Sequence, residues 1–277
     1  MSENALEVEG LQKAFRVGAG NVVACNNVNF AIPPGGSMGL VGESGSGKST
    51  IARMLVGLET PDAGTIHVRG RQLGTRERGR AARLRRAKEI QMVFQDPYGS
   101  LDRRLTVAQC LDQAMKLHGV TSGTSRASRV SGLLDQVGLL AKHGESKPHQ
   151  LSGGQRQRVA IARCLAIEPS VMVLDEAVSA LDVSVQAQIL ALLNEIRASS
   201  GIALLFVSHD LAVVSEVTDD VLVMYRGSVL EQGNTSQVLN HPEHSYTKLL
   251  LSSMPGPCWN PKAVMQRRAA FEAEVAT

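Results

Sequence analysis

The 277-residue chain has no apolar run of the roughly 18–20 residues that a membrane-spanning helix needs. Its longest apolar stretches, such as Ile202 to Val207, are strand-sized. Met1-Ser2-Glu3-Asn4 shows neither the basic nor the apolar region of a secretory signal. Only nine residues are aromatic, which leaves little for base-stacking platforms. A formal net charge of +3 is far from the imbalance of a polybasic binder, so no nucleic-acid partner is expected. Cys25, Cys110, Cys164 and Cys258 are scattered without CxxC spacing, which predicts neither a zinc cage nor a disulfide framework and suits a reducing compartment. With 43% hydrophobic and 20% charged residues, a sizeable core can form and bulk disorder is excluded.

The pattern along the chain alternates strands and helices. Leu6-Glu7-Val8-Glu9 and Val28-Asn29-Phe30-Ala31-Ile32 read as short strands, and Pro33-Pro34-Gly35-Gly36 as a turn. Ser37 to Val41 predicts a compact strand running into Gly42-Glu43-Ser44-Gly45-Ser46-Gly47-Lys48-Ser49-Thr50, after which Ile51, Met54, Leu55 and Leu58 recur at helical spacing. Arg69 to Lys88 carries eight arginines and one lysine against the single acid Glu77; with no aromatic among them, solvated helix faces and loops are expected. Gly119 to Ser128 reads as a turn-rich link, and Val130 to Leu140 as a short helix ending near Gly138. Val171 to Leu174 predicts a strand stopping at Asp175-Glu176, followed by a helix through Val185, Ile189, Leu192, Leu193 and Ile196. Ile202 to Val207 is a further strand, ending at Ser208-His209-Asp210. The order predicts an α/β fold whose parallel sheet presents a ligand site at the carboxyl ends of its strands. A last helix is expected over Lys262 to Val275, and no internal repeat is found.

Gly42-x4-Gly47-Lys48-Ser49, after a strand and before a helix, is the spacing of a phosphate-binding P-loop. Glycines let successive backbone N–H groups converge on phosphate oxygens, and the helix N-terminus adds partial positive charge. Lys48 is then expected to reach the β- and γ-phosphates and the Ser49 hydroxyl to bind Mg²⁺. Asp175, at the end of a buried strand, is placed to hold the same ion, and Glu176 to polarise an attacking water as general base. Leu151-Ser152-Gly153-Gly154-Gln155, before a helix, offers a second anion-binding terminus.

P-loop, Leu-Ser-Gly-Gly-Gln and Val-Met-Val-Leu-Asp-Glu in that order resemble the ATP-binding cassette family over about residues 5–255. The resemblance implies a P-loop NTPase (RecA-like) parallel-sheet core, an N-terminal antiparallel β subdomain and an inserted α-helical signature subdomain at about 90–165. The cassette would span 5–240, with a tail over 241–277. It implies ATP and Mg²⁺ as ligands. Phe15 resembles the aromatic that stacks on adenine, and Gly42, Ser44, Gly45, Ser46, Gly47, Lys48, Ser49 and Thr50 would cradle the phosphates. Gln95 resembles the glutamine that touches Mg²⁺ along with Ser49 and Asp175. Asp182, in Ser179-Ala180-Leu181-Asp182, resembles the D-loop residue, and His209 the switch histidine at the γ-phosphate. In relatives Ser152, Gly153, Gly154 and Gln155 close on the nucleotide of the opposite subunit.

Other branches fit less well. No sustained heptads separate Lys48 from Asp175, unlike chromosome-structuring members; only one cassette is present, unlike translation factors; and no Asn-Lys-x-Asp motif supports a small GTPase. Ser179 to Gln188 and His241-Pro242-Glu243-His244-Ser245-Tyr246-Thr247-Lys248-Leu249-Leu250 resemble the peptide/nickel uptake group. That group implies an importer ATPase at the cytoplasmic face of the bacterial inner membrane, beneath two transmembrane permease subunits. A second ATPase chain, commonly a different one although a homodimer is also permitted, and an extracytoplasmic binding protein complete it. A cassette with a non-transport regulatory role would carry the same motifs. Three departures stand out: Ala177-Val178 replaces the usual Pro-Thr, Arg103 stands where proline is common, and Cys258 stands alone, so no iron–sulfur cluster is expected.

Overall fold

The computed structural model describes residues 3–18, 20–74, 79–119, 123–254 and 261–275. In chain order the elements are β1 (Leu6–Val17), β2 (Gly20–Ile32), β3 (Ser37–Val41), α1 (Lys48–Leu55), β4 (Ala63–Val68), β5 (Arg71–Gln72), α2 (Arg80–Glu89), β6 (Ile90–Val93), α3 (Pro97–Ser100), α4 (Val107–Leu117), α5 (Gly123–Gln136), α6 (Gly153–Leu165), β7 (Val171–Asp175), α7 (Val183–Ser200), β8 (Ala203–Val207), α8 (Leu211–Val217), β9 (Asp220–Tyr225), β10 (Ser228–Asn234), α9 (Thr235–Asn240), α10 (Ser245–Ser252) and α11 (Pro261–Val275). Short 3₁₀ turns at Ala141–Glu145 and Pro148–Gln150 lead into α6.

Two sheets form. The larger has the order β10-β9-β3-β8-β7-β6, and the smaller, β2-β1-β4-β5, is antiparallel. Within the larger sheet β6, β7, β8, β3 and β9 run parallel, and only β10 is reversed. The parallel strands are apolar because both faces are covered. Strand alternation divides their side chains between two cores. Val171, Val173, Ala203, Leu205 and Val207 pack with α1 and the antiparallel sheet, through Ile51, Met54, Leu6, Val28 and Ile66. Met172, Leu174, Leu204 and Phe206 face the other way, into Ile161, Ile189, Leu193, Ile196 and Val214. The carboxyl ends of β3, β7 and β8 lie side by side, which places the P-loop, Asp175-Glu176 and Ser208-His209 together.

Several elements differ from what the sequence pattern predicts. β1 and β2 form one long hairpin from Leu6↔Ile32 to Val17↔Gly20, not two short strands. Register shifts between Val8 and Ala14 break the alternation, and the far end stands in solvent with Val17, Val22 and Val23 exposed, so no apolar period marks it. Much of the expected link Gly119 to Ser128 is helix, since α5 starts at Gly123; residues 120–122 lie outside the described residues. α5 ends at Gln136, and Gly138 (φ +67°) supplies the left-handed position after it, with Leu139 N–H donating to Leu134 O at 2.8 Å. The arginine-rich segment is not wholly solvated. Arg86 donates to Met54 O at 3.0 Å and Gly74 O at 2.9 Å, capping the C-terminus of α1, and Arg71 pairs with Glu89 at 2.5 Å. Residues 75–78, including Glu77, lie outside the described residues.

Cys25, Cys110 and Cys164 are buried and unpaired, and burial pushes the Cys25 thiol up to about 12 and that of Cys164 to about 11. Burial therefore keeps both thiols protonated near neutral pH. Cys258, with the expectation of no cluster around it, lies outside the described residues. Among the described residues no helix is long and apolar enough to cross a membrane, and no group of three or more metal-ligating side chains of His, Cys, Asp or Glu occurs.

At the end of the sheet away from the loops, Asp219 joins α7 to β3. Its carboxylate accepts from Ser37 N–H at 3.0 Å and from Arg197 at 2.6 Å. Burial alone would raise this carboxyl, but the hydrogen bonds from Arg197 and Ser37 outweigh it and hold the group below the ordinary carboxylate range. Its stabilisation is thus present above the unfolded value near 4 and is lost as pH falls. Asp219→Ala is expected to cost about 1 kcal/mol at pH 7, discounted for its half exposure. Urea unfolding at pH 7 and pH 3.5 tests this: the gap between wild type and variant should shrink at the lower pH.

Candidate nucleotide site

The P-loop follows from backbone crowding. At Gly42 (φ +148°) a Cβ would collide with the carbonyl of Met224, and at Gly47 (φ +110°) with that of Ala24. Only glycine fits either place, and the loop is thereby pressed against β9 and the β2 end of the hairpin. Lys48 opens α1, with Ser49 and Thr50 in its first turn. The Lys48 ammonium, nearly buried, donates to Gly42 O at 2.7 Å, Glu43 O at 2.9 Å and Ser46 Oγ at 3.4 Å. Burial lowers its pKa, while Glu176, Asp175 and Glu43 draw it back toward the charged form.

Across the loop the Ser49 hydroxyl donates to Asp175 Oδ1 at 3.2 Å. Burial, aided by the neighbouring Glu176, pushes the Asp175 carboxyl up despite the Ser49 hydrogen bond. Glu176 is held in the left-handed region (φ +47°), with its N–H pinned to Val207 O at 2.9 Å, one residue beyond the β7–β8 pairing. A non-glycine residue in that region stores strain, as residues at reacting centres often do. The Glu176 carboxylate accepts from Gln95 Nε2 at 3.0 Å through one oxygen and lies 3.2 Å from His209 Nδ1 through the other. Lys48, Ser49, Asp175, Glu176, Gln95 and His209 thus come together from four chain segments.

The signature residues sit apart from this group. Ser152 caps α6: its hydroxyl oxygen accepts from Gln155 N–H at 3.2 Å, and Gln155 Oε1 accepts from Ser152 N–H at 2.9 Å. The Ser152 hydroxyl proton is not used in this cap. Gly153 faces Leu181, and a Cβ on Gly154 would run into Val185. Asp182 caps α7, accepting from Val185 N–H at 3.0 Å and the Ser184 hydroxyl at 2.7 Å. Among the described residues no hydrogen bond joins Ser152, Gly153, Gly154 or Gln155 to the P-loop of the same chain. Phe15 lies on the solvent end of the hairpin, half-buried, with the Lys13 ammonium 5.2 Å from its ring centroid.

Sequence reasoning missed the outer face of the loop. Glu43 N–H donates to Tyr246 Oη at 3.1 Å, Glu43 pairs with Arg268, and Gly227 N–H donates to Ser46 O at 2.9 Å. The scarcity of aromatics could have drawn attention to Tyr246, but nothing in its spacing points to a loop 203 residues earlier.

A model described as ABC transporter matches residues 25–179, more than half the chain. The chain belongs to the ABC transporter family. Glutathione import ATP-binding protein GsiA of Salmonella typhimurium (strain LT2) is 45% identical over 260 residues, covering 91% of this chain and 41% of that protein. The protein of the same name from Escherichia coli (strain K12) is 44% identical with the same coverage. This ABC chain therefore spans about two fifths of the length of the curated relatives it matches. Among solved ABC structures, cbiO1 from Clostridium perfringens, part of the cbiONQ transporter complex, superposes with a TM-score of 0.75 at 30% identity, over 86% of this chain and 92% of that one. The cassette MJ0796, in a dimeric post-hydrolysis state bound to ADP and Pi, gives 0.74 at 28% identity, over 83% and 98%.

Proposed function

We propose that the chain is the ATP-hydrolysing subunit of a bacterial importer, and that it energises uptake of short peptides, nickel or a metal chelate through separate permeases. The observation that carries this is the bridged carboxylate of Glu176, held between Gln95 and His209 beside Lys48, Ser49 and Asp175. Similarity to glutathione import proteins supports the direction of transport and favours a peptide cargo. The proposed organisation is a cassette over 5–240, with a helical subdomain at about 90–165, and a tail over 241–277.

The Ser49 hydroxyl and the Asp175 carboxylate, 3.2 Å apart, are hard oxygen donors that fit Mg²⁺, and the Gln95 amide carbonyl, on the residue bonded to Glu176, would join them as a third. When bound, the ion neutralises charge on the phosphates. Lys48 would keep its bond to the Gly42 carbonyl and turn the N–H groups now on Glu43 O and Ser46 Oγ toward β- and γ-phosphate oxygens. Glu176 would take the proton of a water as its oxygen forms a bond to the γ-phosphorus and the bond to the bridging oxygen of ADP breaks. His209 would steady Glu176 and the γ-phosphate. Gly42, Ser44, Gly45, Ser46, Gly47 and Thr50 complete the phosphate cradle, and Phe15 the adenine side.

Ser152, Gly153, Gly154 and Gln155, with Asp182 at their side, would close on the nucleotide of a second cassette. The lack of any hydrogen bond, among the described residues, from them to the chain's own P-loop and the dimeric state of MJ0796 support that reading. The free Ser152 hydroxyl proton suits a phosphate oxygen, since the cap consumes only the oxygen's lone pair. The assembly is then peripheral to the cytoplasmic face of the inner membrane: two permease subunits, a second cassette, and indirectly an extracytoplasmic binding protein. Purification of the tagged chain from detergent-solubilised membranes is expected to recover two permease chains and a second ATPase. Recovery of cytosolic partners alone would replace the importer with a regulatory cassette.

A further inference from the structure

The tail reaches the back of the phosphate-binding loop, and the contact falls on one peptide plane. The Gly42 carbonyl and the Glu43 N–H belong to the same planar amide. The carbonyl accepts from Lys48 Nζ at 2.7 Å, and the N–H donates to Tyr246 Oη at 3.1 Å. Tyr246 therefore grips one edge of the plane whose other edge holds Lys48. Beside it Arg268 of α11 pairs with the Glu43 carboxylate.

The grip itself is stiff. Tyr246 is 1% exposed, and its ring lies 4.7 Å from that of Tyr225 and 5.2 Å from that of Phe271, centroid to centroid. Phe271 meets Tyr225 edge-on at 5.0 Å, so three of the chain's nine aromatics gather behind the loop. The turn before α10 is anchored as well. Glu231 accepts from the N–H groups of Glu243 at 2.8 Å and His244 at 3.1 Å, and His244 Nδ1 accepts from Tyr246 N–H at 3.0 Å. The tyrosine is thus held at its backbone by the turn anchored to β10 and at its ring by Tyr225 and Phe271.

We propose that Tyr246 and Arg268 are positioning residues for the nucleotide site: through Glu43 they orient the Gly42–Glu43 peptide and with it Lys48, so that nucleotide occupancy and docking of the tail are coupled. This rests on the reading of the P-loop as an ATP site. Coupling between sites is reciprocal, so ATP should tighten the tail as the tail tightens ATP.

Equilibrium binding of Mg²⁺-ATP to the full chain tests the first half, and hydrogen exchange over residues 245–275 with and without Mg²⁺-ATP the second. Tyr246→Phe removes one acceptor and keeps the ring. It is expected to weaken ATP binding about fivefold, the size of one hydrogen bond, and to abolish the slowing of tail exchange that ATP causes in the wild type. Arg268→Ala, at the half-exposed end of the contact, should weaken binding about two- to threefold without disturbing the ring cluster. The exchanged pair Glu43→Arg with Arg268→Glu should recover part of what Arg268→Glu alone loses. A purely structural tyrosine would lower the melting temperature and leave both readouts unchanged. Wild type and both single variants binding ATP alike would overturn the inference alone; a wild type that does not bind ATP would overturn the nucleotide site and the inference with it.

Discussion

Glu176→Gln is expected to lower ATP turnover by about 10²–10⁴-fold, the usual contribution of a positioned general base, while leaving ATP binding intact. The substitution preserves shape: a glutamine can still accept from Gln95 Nε2, 3.0 Å away, and its N–H pairing with Val207 is a backbone matter. What it removes is the ability to take a proton, because an amide does not accept one near neutral pH. Lys48 and Ser49, the residues proposed to hold the phosphates, are untouched. Steady-state phosphate release from the assembled transporter is the measurement, paired with nucleotide binding by the same preparation. Wild-type turnover in the variant would transfer the base role elsewhere, with His209, 3.2 Å from Glu176, as the next group to change.

Lys48→Ala is expected to weaken ATP binding by about 10²-fold or more, since truncating one partner of a buried charge pair costs about 2–5 kcal/mol. The ammonium bonds to three groups of the loop and is nearly buried, so little screening by water softens its loss. Thermal unfolding gives a direct check. ATP at about 100 times its dissociation constant should stabilise the wild type by about 2.7 kcal/mol, a shift on the order of 5–10 °C in a chain of this size. The same ATP concentration should leave the variant's transition almost where it was. An equal shift in both proteins would remove Lys48 from the site.

Much of this chemistry is legible in the sequence because it sits where buried strands end. Val171 to Leu174 and Ile202 to Val207 are continuous apolar runs, which only a doubly covered sheet demands, and the first polar residues after them are Asp175-Glu176 and Ser208-His209. The P-loop is legible because two backbones crowd Gly42 and Gly47, so no other residue can stand there. The hairpin of β1 and β2 is less legible: bulges disrupt its alternation, and its outer end leaves Val17, Val22 and Val23 in solvent, so no regular hydrophobic period survives. The helix from Gly123 hides for a related reason, since its first residues are glycine, threonine and serine, which favour turns until packing decides otherwise. Asp182 as the N-cap of α7 and Gln155 in the capping box of α6 are legible too, from an Asp just before a helix and a Ser-x-x-Gln spacing. Tyr246 and Arg268 could not be placed at all, because a contact across 203 or 225 residues leaves no local periodicity.

The central position of β3 has a consequence for the making of the protein. β3 ends at Val41 and enters the P-loop, yet its two neighbours are β8 and β9, so its pairing closes only when Tyr225 is available. A ribosome adding about 5–20 residues per second takes on the order of 10–40 s to cover that interval. During this time Leu40 and Val41 must stay clear of wrong partners, and the loop lacks the backbone of Met224 against which Gly42 is pressed. The P-loop, though written in the first fifth of the chain, is therefore among the last parts of a nascent molecule to become competent. Premature termination anywhere before β9 would release a fragment that carries a complete P-loop motif and no ability to use it.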